Sequence, residues 1–85
     1  MDPYKIVFHP YVTEKTMDLM DNNNSLEFIV KRTATKKQVK YAVERLFDAE
    51  VMKVNTRIAK DGKHAIVKFA PEVKAEDIGM RIGIF

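Results

Sequence analysis

Residues 35–56, TKKQVKYAVERLFDAEVMKVNT, change their hydrophobic period within a few positions, and that change limits the fold more than any other feature. Val39, Ala42, Val43, Leu46 and Phe47 follow the i, i+3, i+4, i+7, i+8 spacing of one helix face. Thr35 and Gln38 fit a capping box at its start, each side chain meeting a free backbone N–H of the other residue. From Val51 the period becomes two, with Met52, Val54, Thr56 and Ile58 on one face and Lys53, Asn55 and Arg57 on the other. A helix joined so closely to a strand must bury its apolar stripe on the sheet to which that strand belongs.

The same helix carries its charges in an unfavourable order. Lys36 and Lys37 lie in its first turn, and Asp48 and Glu50 lie at its end. The helix dipole prefers the reverse by about 0.3–1 kcal/mol per charge. Lysines beside free helix N–H groups suit an external anion such as phosphate; solvated lysines are the plain alternative.

The bulk numbers set the frame. The chain has 85 residues and reads as one domain over 1–85. A chain of this size buries only roughly 60–65% of its unfolded surface, so its stability margin is thin. It has no cysteine, which removes disulfides and thiolate metal sites. No apolar run approaches the roughly 20 residues of a membrane span, and no signal-peptide pattern follows Met1, so a cytosolic protein used as synthesised is expected. The net charge of +3 is unevenly spread. Residues 1–30 carry two basic and five acidic groups, residues 31–68 eleven and four, and residues 69–85 two and three. The basic excess of the middle segment points to a polyanionic partner.

The remaining elements follow in chain order. Residues 5–8 form a short β-prone run ending at His9-Pro10, which suits an edge strand because proline cannot donate to a ladder. Thr13 reads as the start of a helix over 13–21, with Val12, Thr16, Met17, Leu19 and Met20 as its apolar stripe. The cluster Asn22-Asn23-Asn24-Ser25 is a turn, since asparagine tolerates the left-handed region and bonds its own backbone. Residues 26–31 make a strand with Leu26, Phe28 and Val30 on one face and Glu27, Ile29 and Lys31 on the other. Lys60-Asp61-Gly62-Lys63 holds the Asp-Gly hairpin signal. The return strand, 64–69, sets Ala65, Val67 and Phe69 against His64, Ile66 and Lys68. A last helix over 74–82 buries Ala75, Ile78 and Ile82 and stops at Gly83. The order is β-α-β-α-β-β-α, an α/β chain with a four-stranded, largely antiparallel sheet. On its second face, Ile29 and Ile66 are expected under a small helix, with Lys53, Asn55, Arg57 and Lys68 as a wet rim.

Three segments taken together resemble the large ribosomal subunit protein twenty-three family, archaeal type. They are His9-Pro10-Tyr11-Val12-Thr13-Glu14-Lys15; Ala42-Val43-Glu44-Arg45-Leu46-Phe47 with Val51 and Val54-Asn55-Thr56; and Asp77-Ile78 with Arg81-Ile82-Gly83-Ile84-Phe85. The resemblance covers nearly the whole chain. It implies a three-layer α/β/α sandwich with an antiparallel sheet in the order 1-2-4-3. It implies binding to large-subunit rRNA near the exit of the polypeptide tunnel, beside ribosomal protein twenty-nine. It further implies a platform for factors that meet nascent chains, such as signal recognition particle and, in the bacterial branch, trigger factor. The docking glutamate of that branch corresponds to Glu14, and Asp18 and Asp21 extend the acidic face assigned to docking. The bacterial members carry a long third hairpin reaching into the tunnel; the turn at 60–63 is too short for that. The long basic N-terminal extension of the eukaryotic branch is also missing.

Catalytic readings find little support. His9 and His64 are the only histidines, and without cysteine no metal site is expected; no cofactor is implied. Ser25, the only serine, has no base nearby in the sequence, and no glycine-rich phosphate loop exists. The strand after Gly62 partly matches the RNA-recognition motif through Ala65, Val67 and Phe69. His64 and Ile66, however, stand where that motif places its stacking aromatics. The expected rRNA-binding set is therefore His9, Lys15, Lys31, Arg32, Lys36, Lys37, Lys40, Lys53, Asn55, Arg57, Lys60, Lys63 and Lys68. Its cations suit phosphate and RNA shape, and Asn55 suits a base or a 2′-hydroxyl. A non-catalytic ribosomal protein is the leading expectation. A free RNA-binding regulator of the recognition-motif type is the alternative, and a small ferredoxin-like phosphatase a third reading that lacks its arginine-bearing phosphate loop.

Overall fold

The computed structural model describes residues 2–83; Met1, Ile84 and Phe85, the last two part of the terminal family-like segment, lie outside the described residues. Helix α2, Lys36–Phe47, starts where the sequence places it. Thr35 Oγ1 accepts from Gln38 N at 3.1 Å, and Thr35 N donates to Gln38 Oε1 at 2.9 Å, which closes the capping box. Val39, Ala42 and Val43 are fully buried, and Leu46 and Phe47 pack at the edge of the same core. The helix ends at Asp48, which adopts the left-handed region (φ 50°). Three residues later the chain is strand β3, Val51–Ala59. Glu44 of α2 accepts from Val51 N at 3.0 Å, so the helix itself satisfies the first donor of the strand.

The other elements are a 3₁₀ turn at Pro3–Lys5, β1 at Val7–Pro10, α1 at Glu14–Asn23, β2 at Ser25–Val30, β4 at Gly62–Phe69 and α3 at Ala75–Arg81. The strands form one antiparallel sheet in the order β1-β2-β4-β3. On the first face, Leu26, Phe28 and Val30 of β2 and Ala65, Val67 and Phe69 of β4 meet α2 and α3 in one core. Phe28 stacks on Phe47 with ring centroids 5.7 Å apart. Helix α1 lies toward the second face, where Leu19 borders Ile66 and Asn55, and sends Met20 around to the main core. The architecture is the expected three-layer sandwich.

Four expectations change in detail. The first strand begins at Val7 rather than Lys5, because Pro3–Lys5 turn first, and it runs through Pro10, which pairs with Phe28 on an open edge. In β3 the alternation fails at its start. A register shift between Val51 and Lys53 puts Val51 in the core and leaves Met52 54% exposed. Ile58, expected on the core face, is 60% exposed near the end of this edge strand. Val12 is also exposed rather than part of the α1 stripe.

Asn24 is the fourth. It is left-handed (φ 52°), as a turn asparagine can be, but its side chain does not bond its own backbone. Its amide donates to the carbonyls of Phe69, Ala70 and Val73, and its Oδ1 accepts from Ala75 N at 2.8 Å. Lys74, the N-cap residue of α3, supplies no side-chain cap. Asn24 caps that helix from across the fold, in the role a local Ser, Thr, Asp or Asn would otherwise fill.

Candidate nucleic-acid interface

Register decides which cations meet. Val30, the last residue of β2, pairs with Lys63, and Ala59 pairs with Gly62 beside the hairpin tip. The end of β2 and the β3–β4 turn therefore share one end of the sheet. Lys31 and Arg32 leave β2 there, Lys36 and Lys37 open α2 there, and Lys60 sits on the turn. Lys63 binds the two segments together, its Nζ donating to Ala34 O at 2.6 Å. Lys40 follows Lys36 and Lys37 by one turn on the exposed side of α2. No acidic residue lies in the first turn of α2 to offset these charges.

A second cationic group lies at the other end of β3 and β4. Lys53 and Lys68 are directly opposite one another, and both are exposed. Like charges so placed are destabilising. Asn55 is exposed next to them, opposite Ile66.

Arg57 departs from the expected pattern. Its guanidinium donates to Glu27 Oε2 at 3.1 Å, with Arg57's side chain 54% exposed and Glu27's 4% exposed. Glu27 Oε2 also lies 2.6 Å from His64 Nδ1, and His64 Nε2 lies 2.8 Å from Asp61 Oδ1. The ring of Tyr11 covers His64 edge-on, with centroids 4.6 Å apart. Carboxylates only accept, so both contacts are complete hydrogen bonds when the imidazole carries both protons. This network fastens β2, β3, β4 and the hairpin turn, with Glu27 and His64 buried and Arg57 and Asp61 exposed. Part of Arg57's charge is spent inside it and is not free for phosphate. The hydrogen bond from His64 holds the Asp61 carboxyl below its ordinary range, with the nearby positive charges acting in the same direction.

The network was missed in the sequence, although part of its signal was there. Strand alternation already set Glu27, His64 and Arg57 on one face; the strand order was what made them neighbours. The burial of His64 also removes it from any base platform, as the recognition-motif alternative would require. Among the described residues no three of His, Cys, Asp and Glu are placed to hold a metal ion; the two carboxylates instead bracket the imidazole from opposite sides.

The remaining sites stand apart. His9 is exposed on the edge strand, with Nδ1 3.0 Å from Pro10 O. Lys15 lies on α1 with Glu14, Asp18 and Asp21, away from the lysines of the sheet end. Those three acids recur at i, i+4 and i+7, so they form one exposed stripe. Helix α1 leads into the start of β2, whereas residues 31–37 leave its end. The acidic stripe and the main cationic group are thus joined by a strand and not merged. No helix among the described residues is long and apolar enough to cross a membrane.

The chain is similar to proteins of one family along its whole length. The sequence profile of the family described as Ribosomal protein L23 matches residues 5–78. The chain is 49% identical over 86 aligned residues to the large ribosomal subunit protein uL23 of Methanothermobacter thermautotrophicus, covering all of both chains. It is 46% identical over 86 aligned residues to the protein of that name from Methanobrevibacter smithii, again over the whole of both. It is 48% identical over 79 residues to that of Picrophilus torridus, covering 93% of this chain and 96% of the relative.

Proposed function

The chain belongs to the ribosomal protein L23 family, archaeal type, and on that premise we propose that its exposed cations hold large-subunit rRNA near the exit of the polypeptide tunnel. As a family member it is a structural constituent of the large subunit of the cytoplasmic ribosome, among rRNA and other ribosomal proteins, and not an enzyme. Residues 1–85 act in this reading as a single ribosomal-protein domain.

The observation that carries the proposal is the gathering of Lys31, Arg32, Lys36, Lys37, Lys60 and Lys63 at one end of the sheet by the β2–β4 and β3–β4 registers. The arrangement is sequence-blind: long cationic side chains on a rigid edge track phosphates and helix shape and do not read base edges. Lys40 extends the surface along α2, and Lys53, Asn55 and Lys68 add a second contact. Arg57 contributes the part of its guanidinium that Glu27 leaves free. His9 and Lys15 are peripheral contacts in this reading.

The acidic stripe of Glu14, Asp18 and Asp21 is the docking surface, repelling RNA and remaining open to protein. Ribosomal protein twenty-nine is the proposed neighbour, and signal recognition particle and other nascent-chain factors are the proposed visitors. The short turn at 60–63 argues against a reach into the tunnel.

Salt titration against large-subunit rRNA is the test. With six to ten phosphate contacts, affinity falls by roughly 10³–10⁵ between about 50 and 200 mM salt. A slope near zero would overturn the proposal.

A further inference from the structure

We infer that a groove between α1 and the lower half of β3 and β4 seats one unstacked nucleotide of the bound RNA. This rests on the rRNA-binding reading and adds to it a site with a defined occupant. The groove has a volume of about 350 Å³, within the range of about 300–1,000 Å³ in which small-molecule sites fall.

Its lining matches the three parts of a nucleotide. Leu19 of α1 and Ile66 of β4 supply apolar walls for a base. Asn23 and Asn55 add side-chain amides, each a donor beside an acceptor, which is the pattern on a base's hydrogen-bonding edges. Both residues are exposed. Lys53 and Lys68 supply the cations for the phosphate at the groove's rim.

The two lysines give the strongest reason for an anionic occupant. They face each other directly across the ladder, and no acidic side chain lines the groove. A bound phosphate converts that repulsion into a clamp. Asp21 lines the adjoining groove, which Lys68 also borders. A paired base in an A-form helix cannot enter; a nucleotide splayed from a loop or bulge can. The walls are aliphatic, so the base is held by packing and edge hydrogen bonds, a different device from the aromatic stacking of the recognition motif.

The test is a methyl- and side-chain-amide NMR titration of the full chain at low salt with a short oligoadenylate, inorganic tripolyphosphate and a blunt RNA duplex. The inference expects oligoadenylate to shift the Leu19 and Ile66 methyls and the Asn23 and Asn55 amides. Tripolyphosphate should move only signals near the lysines, and duplex should leave the groove unchanged. Asn55→Ala should weaken oligoadenylate binding about two- to ten-fold, the worth of one neutral hydrogen bond, while tripolyphosphate binding and the remaining spectrum stay as in wild type. Tripolyphosphate reproducing every oligoadenylate shift, or wild-type oligoadenylate affinity in Asn55→Ala, would overturn the inference. RNA shifts confined to residues 31–40 and 60–63 would overturn it while leaving the rRNA reading intact. If neither RNA binds anywhere on the chain, the rRNA reading fails and the inference fails with it.

Discussion

Glu27 shows how one buried carboxylate governs the chemistry of its neighbours. It accepts from Arg57 and lies against His64, which in turn meets Asp61 on the turn. Removing Glu27 leaves the buried His64 Nδ1 without its partner, at a cost of about 1–3 kcal/mol. Glu27→Ala should lose about that much stability in urea unfolding, a large share of the margin of a small domain. Asp61 is exposed, and its contribution shows in the pH dependence. Its folded pKa is lowered, chiefly by the hydrogen bond from His64. The stability it adds is therefore present above its unfolded pKa and is lost as pH falls through the folded value. Asp61→Asn should be less stable than wild type at neutral pH, and the difference should shrink in acid below the ordinary aspartate range. A difference that grows in acid would contradict the assigned direction.

Among the elements, α2 combines a strong start with poorly placed charges. Its capping box is complete, yet Lys36 and Lys37 oppose the dipole. Replacing both lysines with alanine should weaken rRNA binding and leave the fold intact. Stability should rise by about 0.3–1 kcal/mol per charge removed. Thr35→Ala should do the reverse, costing about 1 kcal/mol of stability through the lost cap with little change in affinity; paired denaturation and binding measurements separate the two. Helix α3 depends on a residue far away in the chain. Asn24→Gly keeps the left-handed backbone but removes the amide's three donations and the α3 cap. It should cost about 1–3 kcal/mol and raise amide exchange in residues 75–81 first. Uniform exchange across the sheet instead would place Asn24 outside the support of α3.

Across the whole molecule, the main cationic group and the acidic stripe of α1 lie toward opposite ends of one sheet, with Lys53 and Lys68 at the α1 end. The antiparallel order puts the exit of β2 beside the β3–β4 turn and leaves α1 at the other end. In the proposed reading, the lysines at the β2 exit and the acids of α1 can then be changed independently. Glu14→Ala should leave co-sedimentation with large subunits unchanged and weaken factor docking. Failure to assemble would move Glu14 into the RNA-contacting set. Much of this arrangement is legible in the sequence. The period change at Val51, the Asp-Gly turn and the Thr35–Gln38 box are local signals, and local signals survive without tertiary context. Met52 and Ile58 were misplaced because alternation assumes a flat, fully covered strand. A register shift and an open edge broke both assumptions.

The order of the strands and α-helices, the first-face core of β2, α2 and β4, the segmental charge excess and the family resemblance are legible in the chain alone. Each is carried by neighbours in the chain or by a recurring period. Tertiary structure alone decided which side chains share a charge and which stay free. Glu27 and His64, the outermost of the four with Arg57 and Asp61, are 37 positions apart in the chain, and the set meets only because β4 inserts between β2 and β3. Asn24 finds α3 only because the ends of β2 and β4 lie side by side. Lys53 and Lys68 become a pair only through register. Periodicity reports the face on which a residue lies, but its neighbours on that face are set by strand order.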